Sequence, residues 1–146
     1  MIDLVPFTPD HLEFFATVTL QKRRYSDEQV REWLTRLVNN VDMQILMPSK
    51  AISCNDLGNE GVSGIVMLKT SHSSIHIWDQ CDQPYAKLVI YSCKPFRTIP
   101  ILDMLAELGS RVCSWELRDR NHTTEADLLH GHQYKMVAEG IVDYRR

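Results

Sequence analysis

The chain has 146 residues, of which 44% are hydrophobic and 24% are charged, and its formal net charge is -3. These values predict one globular domain, residues 1–146, with room for a hydrophobic core. Basic residues are scattered apart from Lys22-Arg23-Arg24, which argues against a nucleic-acid partner.

Features that would place the chain in or across a membrane are not found in the sequence. No stretch approaches the roughly 20 apolar residues of a transmembrane helix, and residues 1–6 lack the basic and apolar regions of a signal peptide. The cysteines form no C-x-x-C pair and lack the spacing of a secreted disulfide scaffold. They are Cys54, Cys81, Cys93 and Cys113. We therefore expect a cytoplasmic protein with reduced thiols and no membrane partner.

The N-terminal third predicts a strand and then a helix. Residues 14–20 are rich in β-branched and aromatic side chains, as in strands. Ser26 and Gln29 form a capping box, and the apolar residues after them recur at helical spacing. These apolar residues are Val30, Trp33, Leu34, Leu37 and Val38. We interpret the stripe as the core face of a helix that packs on a sheet.

The middle of the chain predicts four strands joined by short connections. Residues 43–47 form an apolar run that Pro48 closes, and residues 53–60 have the composition of a loop. Residues 65–68, 73–78 and 86–91 are the next strand candidates. Connections this short imply antiparallel pairing.

A second helix and a further strand complete the predicted elements. Thr98 can cap this helix, Pro100 is tolerated in its first turn, and Gly109 marks its end. A strand candidate covers residues 111–117, and residues 120–146 form a polar tail of ambiguous pattern. The order β-α-β-β-β-β-α-β is typical of an α+β domain, with a mainly antiparallel sheet and helices packed on one face.

Side-chain alternation places several reactive residues on one face of the predicted sheet. In a strand over residues 72–78, His72, His76 and Trp78 share a face, and Tyr91 and Cys93 share a face of the later strand. A hairpin between the two strands could bring Cys93 toward His76. A hydroxyl, a histidine and a thiol could then converge.

Four separated motifs carry a resemblance to a known family. They are Gly61-Val62-Ser63-Gly64, Ser71-His72, Ile75-His76-Ile77-Trp78, and Cys93. Residues from about 60 to 116 resemble the short, prokaryotic-type S-adenosylmethionine decarboxylases, which are pyruvoyl-dependent enzymes of spermidine biosynthesis. The resemblance implies the α/β sandwich of that family, a small-molecule substrate and assembly as a homodimer.

The resemblance also implies self-cleavage between Thr70 and Ser71. Ser71 would attack the carbonyl of Thr70 to form an ester, and β-elimination would then yield fragments 1–70 and 71–146. The second fragment would begin with a pyruvoyl group derived from Ser71. His76 and Ser63 match residues that assist this step, since a histidine can act as a general base and a hydroxyl can hold the developing oxyanion.

In such an enzyme the pyruvoyl ketone forms a Schiff base with the substrate amine and accepts the electron pair released with carbon dioxide. The resemblance therefore implies no metal and no diffusible cofactor. Cys93 matches the residue that returns a proton to the substrate α-carbon.

Three positions depart from the family pattern. Thr70 stands where the family usually has glutamate, and Gln80, beside Asp79, stands at the position of an acidic residue that binds the ribose hydroxyls. Leu57 occupies the place of an aromatic residue that stacks on adenine. The candidate substrate contacts are Leu57, Trp78, Asp79 and Gln80.

These departures favour two alternatives. The same chemistry could act on a basic amino acid such as ornithine or arginine, or the chain could be a non-processing homologue that serves as a binding or regulatory subunit. A metal site is disfavoured, because neither His72 with His76 nor His130 with His132 has a third ligand at a characteristic spacing. We interpret the latter pair as surface histidines.

Overall fold

The structure, a computed structural model, describes residues 9–121, 124–131 and 133–146. Residues 1–6 and His132, which entered the expectations above, lie outside these ranges. The elements are β1 (Leu12–Leu20), α1 (Asp27–Asn40), β2 (Ile45–Cys54), β3 (Gly61–Leu68), β4 (Ser71–Trp78), β5 (Tyr85–Ser92), α2 (Ile99–Leu108), β6 (Ser110–Asp119), α3 (Glu125–Leu129) and β7 (Lys135–Asp143). The predicted order is confirmed, and α3 and β7 are added in the region of ambiguous pattern.

The strands form one antiparallel sheet of order β2-β3-β4-β5-β1-β6-β7. The expectation that Pro48 ends the strand over residues 43–47 is wrong, because β2 continues to Cys54. Since β2 lies at an edge of the sheet, the missing N–H of Pro48 can be accommodated, and the register shifts between Met47 and Lys50.

The capping box of α1 is confirmed. The Gln29 backbone N–H donates to Ser26 Oγ at 3.1 Å, and the Ser26 N–H donates to Gln29 Oε1 at 3.0 Å. The predicted apolar stripe is buried along its whole length. A Cβ on Gly64 would lie 3.1 Å from Val30 Cγ1, so this glycine in β3 allows α1 to pack closely on the sheet.

Helix α2 has Pro100 in its first turn and ends at Gly109, whose φ of 99° suits a glycine. The expected cap at Thr98 forms only in part. Thr98 occupies the N-cap position, but its side chain accepts no capping hydrogen bond. Its backbone is already helical, with φ -81° and ψ -30°, whereas capping side chains usually project from an extended residue.

The two faces of the sheet differ in their surroundings. Alternate residues such as Phe14, Ile75 and Leu88 are buried in one core with α1 and α2. We call the opposite side the open face, and it carries the alternate residues of the same strands, among them Ser63, Ile65, His72, His76 and Tyr91. On it Ile65 is 55% exposed. No helix in the described parts of the chain is long and apolar enough to span a membrane.

Candidate functional site

The Thr70–Ser71 bond lies in the tight turn between β3 and β4. Leu68 pairs with Ser71, so only Lys69 and Thr70 connect the two strands. Ser71 has a φ of 147°, in a region that favours glycine. Holding a residue with a Cβ in such a region costs on the order of 1–3 kcal/mol. We call residues 69–71 the processing turn, and its backbone is strained at the predicted cleavage point.

Cys93 contacts the processing turn directly. Its backbone N–H donates to the carbonyl oxygen of Thr70 at 2.8 Å. The contact follows from the register, because Ser92 pairs with Ser71 and Cys93 is therefore opposite Thr70. The Cys93 residue is half-buried. The carbonyl at the predicted cleavage point and the candidate thiol residue are thus held together by the hydrogen bonding of the sheet.

Ser63 and His76 form a second pair on the open face. They are directly opposite each other on β3 and β4, and Ser63 Oγ lies 2.7 Å from His76 Nδ1. Together with Lys50, Ile52 and Ile65 among other residues, they line a mostly apolar cavity of about 440 Å³. A hydroxyl and an imidazole in hydrogen-bond contact beside an apolar cavity can hold or move a proton.

The two pairs are well separated within one chain. His76 is five residues after Ser71 on the same strand, which corresponds to about 17 Å at the usual rise of a β-strand. His76 lies opposite Lys87 in β5, not near Cys93. The expected approach of Cys93 to His76 is therefore wrong, because the β4–β5 register places Cys93 at the Ser71 end of the hairpin.

The candidate substrate contacts are at the other end of β4. Trp78 Nε1 donates to Asn59 Oδ1 at 2.8 Å, and its indole stacks on Tyr85 with 4.7 Å between ring centroids. Leu57 is 98% exposed at the tip of the β2–β3 loop, and Gln80 is also exposed. The Trp78 ring centroid is 6.0 Å from that of His76 on the same strand.

Asp79 has a different environment from its neighbours. It is 8% exposed, and its Oδ2 accepts the backbone N–H of Tyr25 at 2.8 Å, just before α1. Its Oδ1 has no hydrogen-bond partner within the described ranges and is closed off from solvent. Its carboxylate thus anchors the chain that enters α1, and one of its oxygens is unsatisfied.

A polar cluster near the processing turn was not anticipated from the sequence, apart from His72 and Tyr91. His11 Nδ1 lies 2.6 Å from the Tyr91 hydroxyl, the His72 and Tyr91 rings are 5.7 Å apart, and Glu13 pairs with Arg120. These residues line a cavity of about 370 Å³. They come from β1, β4, β5 and the segments next to β1 and β6, so only the pairing of the strands brings them together.

The remaining thiols and histidines give no metal centre where the structure is described. In residues 9–121, 124–131 and 133–146, no group of three or more His, Cys, Asp or Glu side chains is arranged to hold a metal ion. Cys113 is buried opposite Val18, and burial raises the pKa of its thiol to about 11. This thiol therefore stays protonated at neutral pH, so it is a packing residue.

Comparison with known proteins agrees with the motif analysis. A family model described as S-adenosylmethionine decarboxylase matches residues 20–120. No curated protein gives a match. The crystal structure of the adenosylmethionine decarboxylase from Aquifex aeolicus VF5 is similar in fold, with a TM-score of 0.65 and 21% sequence identity over 82% of this chain and 97% of that one. The family model covers well over half of the sequence, and the chain therefore belongs to the S-adenosylmethionine decarboxylase family.

Proposed function

We propose that this protein is a self-processing, pyruvoyl-dependent decarboxylase of S-adenosylmethionine that serves spermidine synthesis. The observation that carries the proposal is the geometry of the processing turn. A strained Ser71 follows Thr70, whose carbonyl oxygen already accepts a hydrogen bond from the Cys93 N–H. Backbone strain and a fixed hydrogen-bond donor at one peptide bond both favour attack by the adjacent hydroxyl.

The cleavage begins at the Thr70 carbonyl. Ser71 Oγ adds to its carbon, the Cys93 N–H stabilises the oxyanion, and the C–N bond breaks as the nitrogen of residue 71 takes up a proton. The result is an ester. Loss of the Ser71 α-proton then expels the Thr70 carboxylate and leaves a double bond in residue 71. Tautomerisation and attack by water release ammonia and leave the pyruvoyl group. Because the attacked group is in the backbone, threonine at position 70 is compatible with this sequence of steps.

The residues around the processing turn suit decarboxylation as well. When present, the pyruvoyl carbonyl supplies the electron sink needed for loss of carbon dioxide from an α-amino acid. Cys93 lies opposite residue 70 in the ladder, so its thiol is available to return a proton to the substrate α-carbon. The backbone N–H of Cys93 acts in cleavage and its side chain acts in turnover. Cys93→Ala separates the two roles, because it removes the thiol and keeps the N–H.

The Ser63–His76 pair would act on the processing turn of a second copy. Within one chain the distance of about 17 Å is too long for proton transfer. If two chains pack their open faces together around a twofold axis, the pair of each chain can reach the processing turn of the other. Exposed apolar side chains such as Ile52, at 71%, and Ile65 support burial of this face in a homodimer.

Co-expression of two inactive variants tests the shared site. Ser71→Ala removes the nucleophile and His76→Ala removes the base, so each variant alone should remain uncleaved. In a mixed dimer, the His76→Ala chain retains Ser71 and receives His76 from its partner, so it should be cleaved. The two variants carry different tags, so mass spectrometry shows which of the two chains has been cleaved. Cleavage of His76→Ala alone, or no cleavage in the mixture, would contradict a base supplied by the partner.

The activity itself is tested on the wild-type chain. Intact mass spectrometry should show fragments 1–70 and 71–146, the second with a pyruvoyl end, and the protein should release carbon dioxide from S-adenosylmethionine. Ser71→Ala should lose both properties. A wild-type chain that stays intact after long incubation would refute the proposal and favour a non-processing binding or regulatory subunit.

A basic amino acid is the second candidate substrate, and two observations favour it. Leu57 and Gln80 offer neither an aromatic ring nor a carboxylate to a nucleoside. A carboxylate, Glu13, lies on the open face near the processing turn, with its side chain 12% exposed and paired with Arg120. Carbon dioxide release from ornithine and arginine, compared with S-adenosylmethionine, decides between the substrates. If a basic amino acid is used, Glu13→Gln should raise its KM.

A further inference from the structure

We propose that Asn59 is a positioning residue that orients Trp78 to receive a purine nucleoside, and that it thereby sets specificity for the nucleoside part of the substrate. The inference rests on the proposed function and assigns a role to a residue outside the family motifs quoted above. Asn59 lies in the loop between β2 and β3, two residues before Gly61.

Asn59 is fixed from both sides. Its Oδ1 accepts the indole N–H of Trp78 at 2.8 Å, which satisfies the single donor of that side chain. Its backbone N–H donates to the carbonyl of Asp56 at 2.8 Å, and its Nδ2 lies 3.5 Å from Cys54 Sγ. The amide oxygen therefore has a defined position, and it restricts the plane of the indole ring.

Gly61 allows the loop to approach Trp78. A Cβ at this position would lie 1.8 Å from the carbonyl oxygen of Ile77 and 3.1 Å from the Trp78 Cα. A side chain there would push β3 and β4 apart at the point where Asn59 reaches across. The short hydrogen bond from Trp78 to Asn59 thus depends on close contact between the two strands.

The oriented indole belongs to an aromatic surface beside the Ser63–His76 pair. Trp78 and Tyr85 are stacked with 16° between their planes, and the His76 ring centroid is 6.0 Å from that of Trp78. Leu57, at 98% exposure, has no ring to stack on a base. Flat aromatic surfaces bind nucleobases by stacking, so among the described residues beside the Ser63–His76 pair, Trp78 and Tyr85 offer a surface that fits a purine.

Binding of 5′-methylthioadenosine tests this role, because this purine nucleoside thioether lacks the reacting amine and its binding needs no catalysis. Three variants are compared with the wild type by calorimetry. Asn59→Ala removes the acceptor, Asn59→Asp keeps an acceptor oxygen, and Asn55→Ala is a control at an exposed position of the same loop. Loss of one hydrogen bond of ordinary strength corresponds to about a tenfold rise in Kd.

We expect this tenfold rise for Asn59→Ala, with Asn59→Asp and Asn55→Ala close to the wild type. The NMR resonance of the Trp78 Nε1–H should move in Asn59→Ala and not in Asn55→Ala. A wild-type protein that does not bind the nucleoside, an Asn59→Ala variant that binds like the control, or an Asn59→Asp variant as weak as Asn59→Ala overturns the inference.

Mass spectrometry of the same samples keeps this result separate from the proposed function. Wild-type protein that is cleaved but does not bind the nucleoside overturns the role of Asn59 and leaves the pyruvoyl chemistry intact. Wild-type protein that is uncleaved refutes the proposed function, while the binding data still decide whether Asn59 orients Trp78.

Discussion

The strain at Ser71 can be measured by comparing two substitutions that both prevent cleavage. Ser71→Ala keeps a Cβ in a backbone conformation with φ of 147°, whereas Ser71→Gly removes it. Neither variant has the hydroxyl needed for attack, so both should remain intact chains whose free energies of unfolding can be compared directly. We expect the glycine variant to be the more stable one, the reverse of the usual order in a strand.

The size of the difference follows from two opposing terms. A residue with a Cβ in this region is strained by about 1–3 kcal/mol, and glycine relieves this strain. Glycine also loses about 0.5–1 kcal/mol relative to alanine, because its unfolded chain has more conformational freedom. The net expectation is that Ser71→Gly exceeds Ser71→Ala by about 1 kcal/mol, which corresponds to a Tm higher by about 3 °C for a chain of this length.

Urea denaturation followed by circular dichroism gives the two free energies of unfolding, at one protein concentration so that any dimerisation affects both variants equally. Ser74 is the matched control site, because it lies on the same strand and no described residue other than Asp42 and Ser71 combines a side chain with positive φ. There Gly should be less stable than Ala by about 0.5–1 kcal/mol. If Ser71→Gly is less stable than Ser71→Ala by the same margin of about 0.5–1 kcal/mol as at Ser74, the processing turn stores no strain.

Three further predictions concern the same region and the buried thiol. Cys93→Ala keeps the backbone N–H that holds the Thr70 carbonyl, so intact mass spectrometry should still show cleavage. Turnover should fall by about a hundredfold or more, because the thiol that returns the proton is gone. Unchanged turnover would remove the thiol from the mechanism. Gly61→Ala places a Cβ 1.8 Å from the Ile77 carbonyl oxygen. In urea denaturation it should lower the free energy of unfolding by about 3 kcal/mol. A loss below about 1 kcal/mol would contradict this close approach. At pH 8, iodoacetamide should label the exposed Cys81 and not Cys113, because burial raises the pKa of the Cys113 thiol to about 11. Labelling of both cysteines at equal rates in the folded protein would contradict the burial of Cys113.

Much of the fold could be predicted because its signals are local. The capping box at Ser26 and the apolar stripe through Trp33 define α1, since both depend on residues within one or two turns of a helix. Alternation along β4 correctly placed His72, His76 and Trp78 on one face of the sheet. The end of β2 was missed at Pro48, because a proline excludes a central strand but not an edge strand, and the sequence does not reveal which strand lies at the edge.

The reactive residues show the same difference between local signals and the pairing of distant strands. Local sequence is enough to identify the motifs that place the chain in its family, including Ser71, His76 and Cys93. Which of these residues meet depends on how the strands pair. The strand register joins Cys93 to Thr70 and Ser63 to His76 and keeps the two pairs apart, and it assembles the cluster around Tyr91. Pairing between strands depends on loop geometry and on the packing of the whole sheet, which a local pattern does not encode.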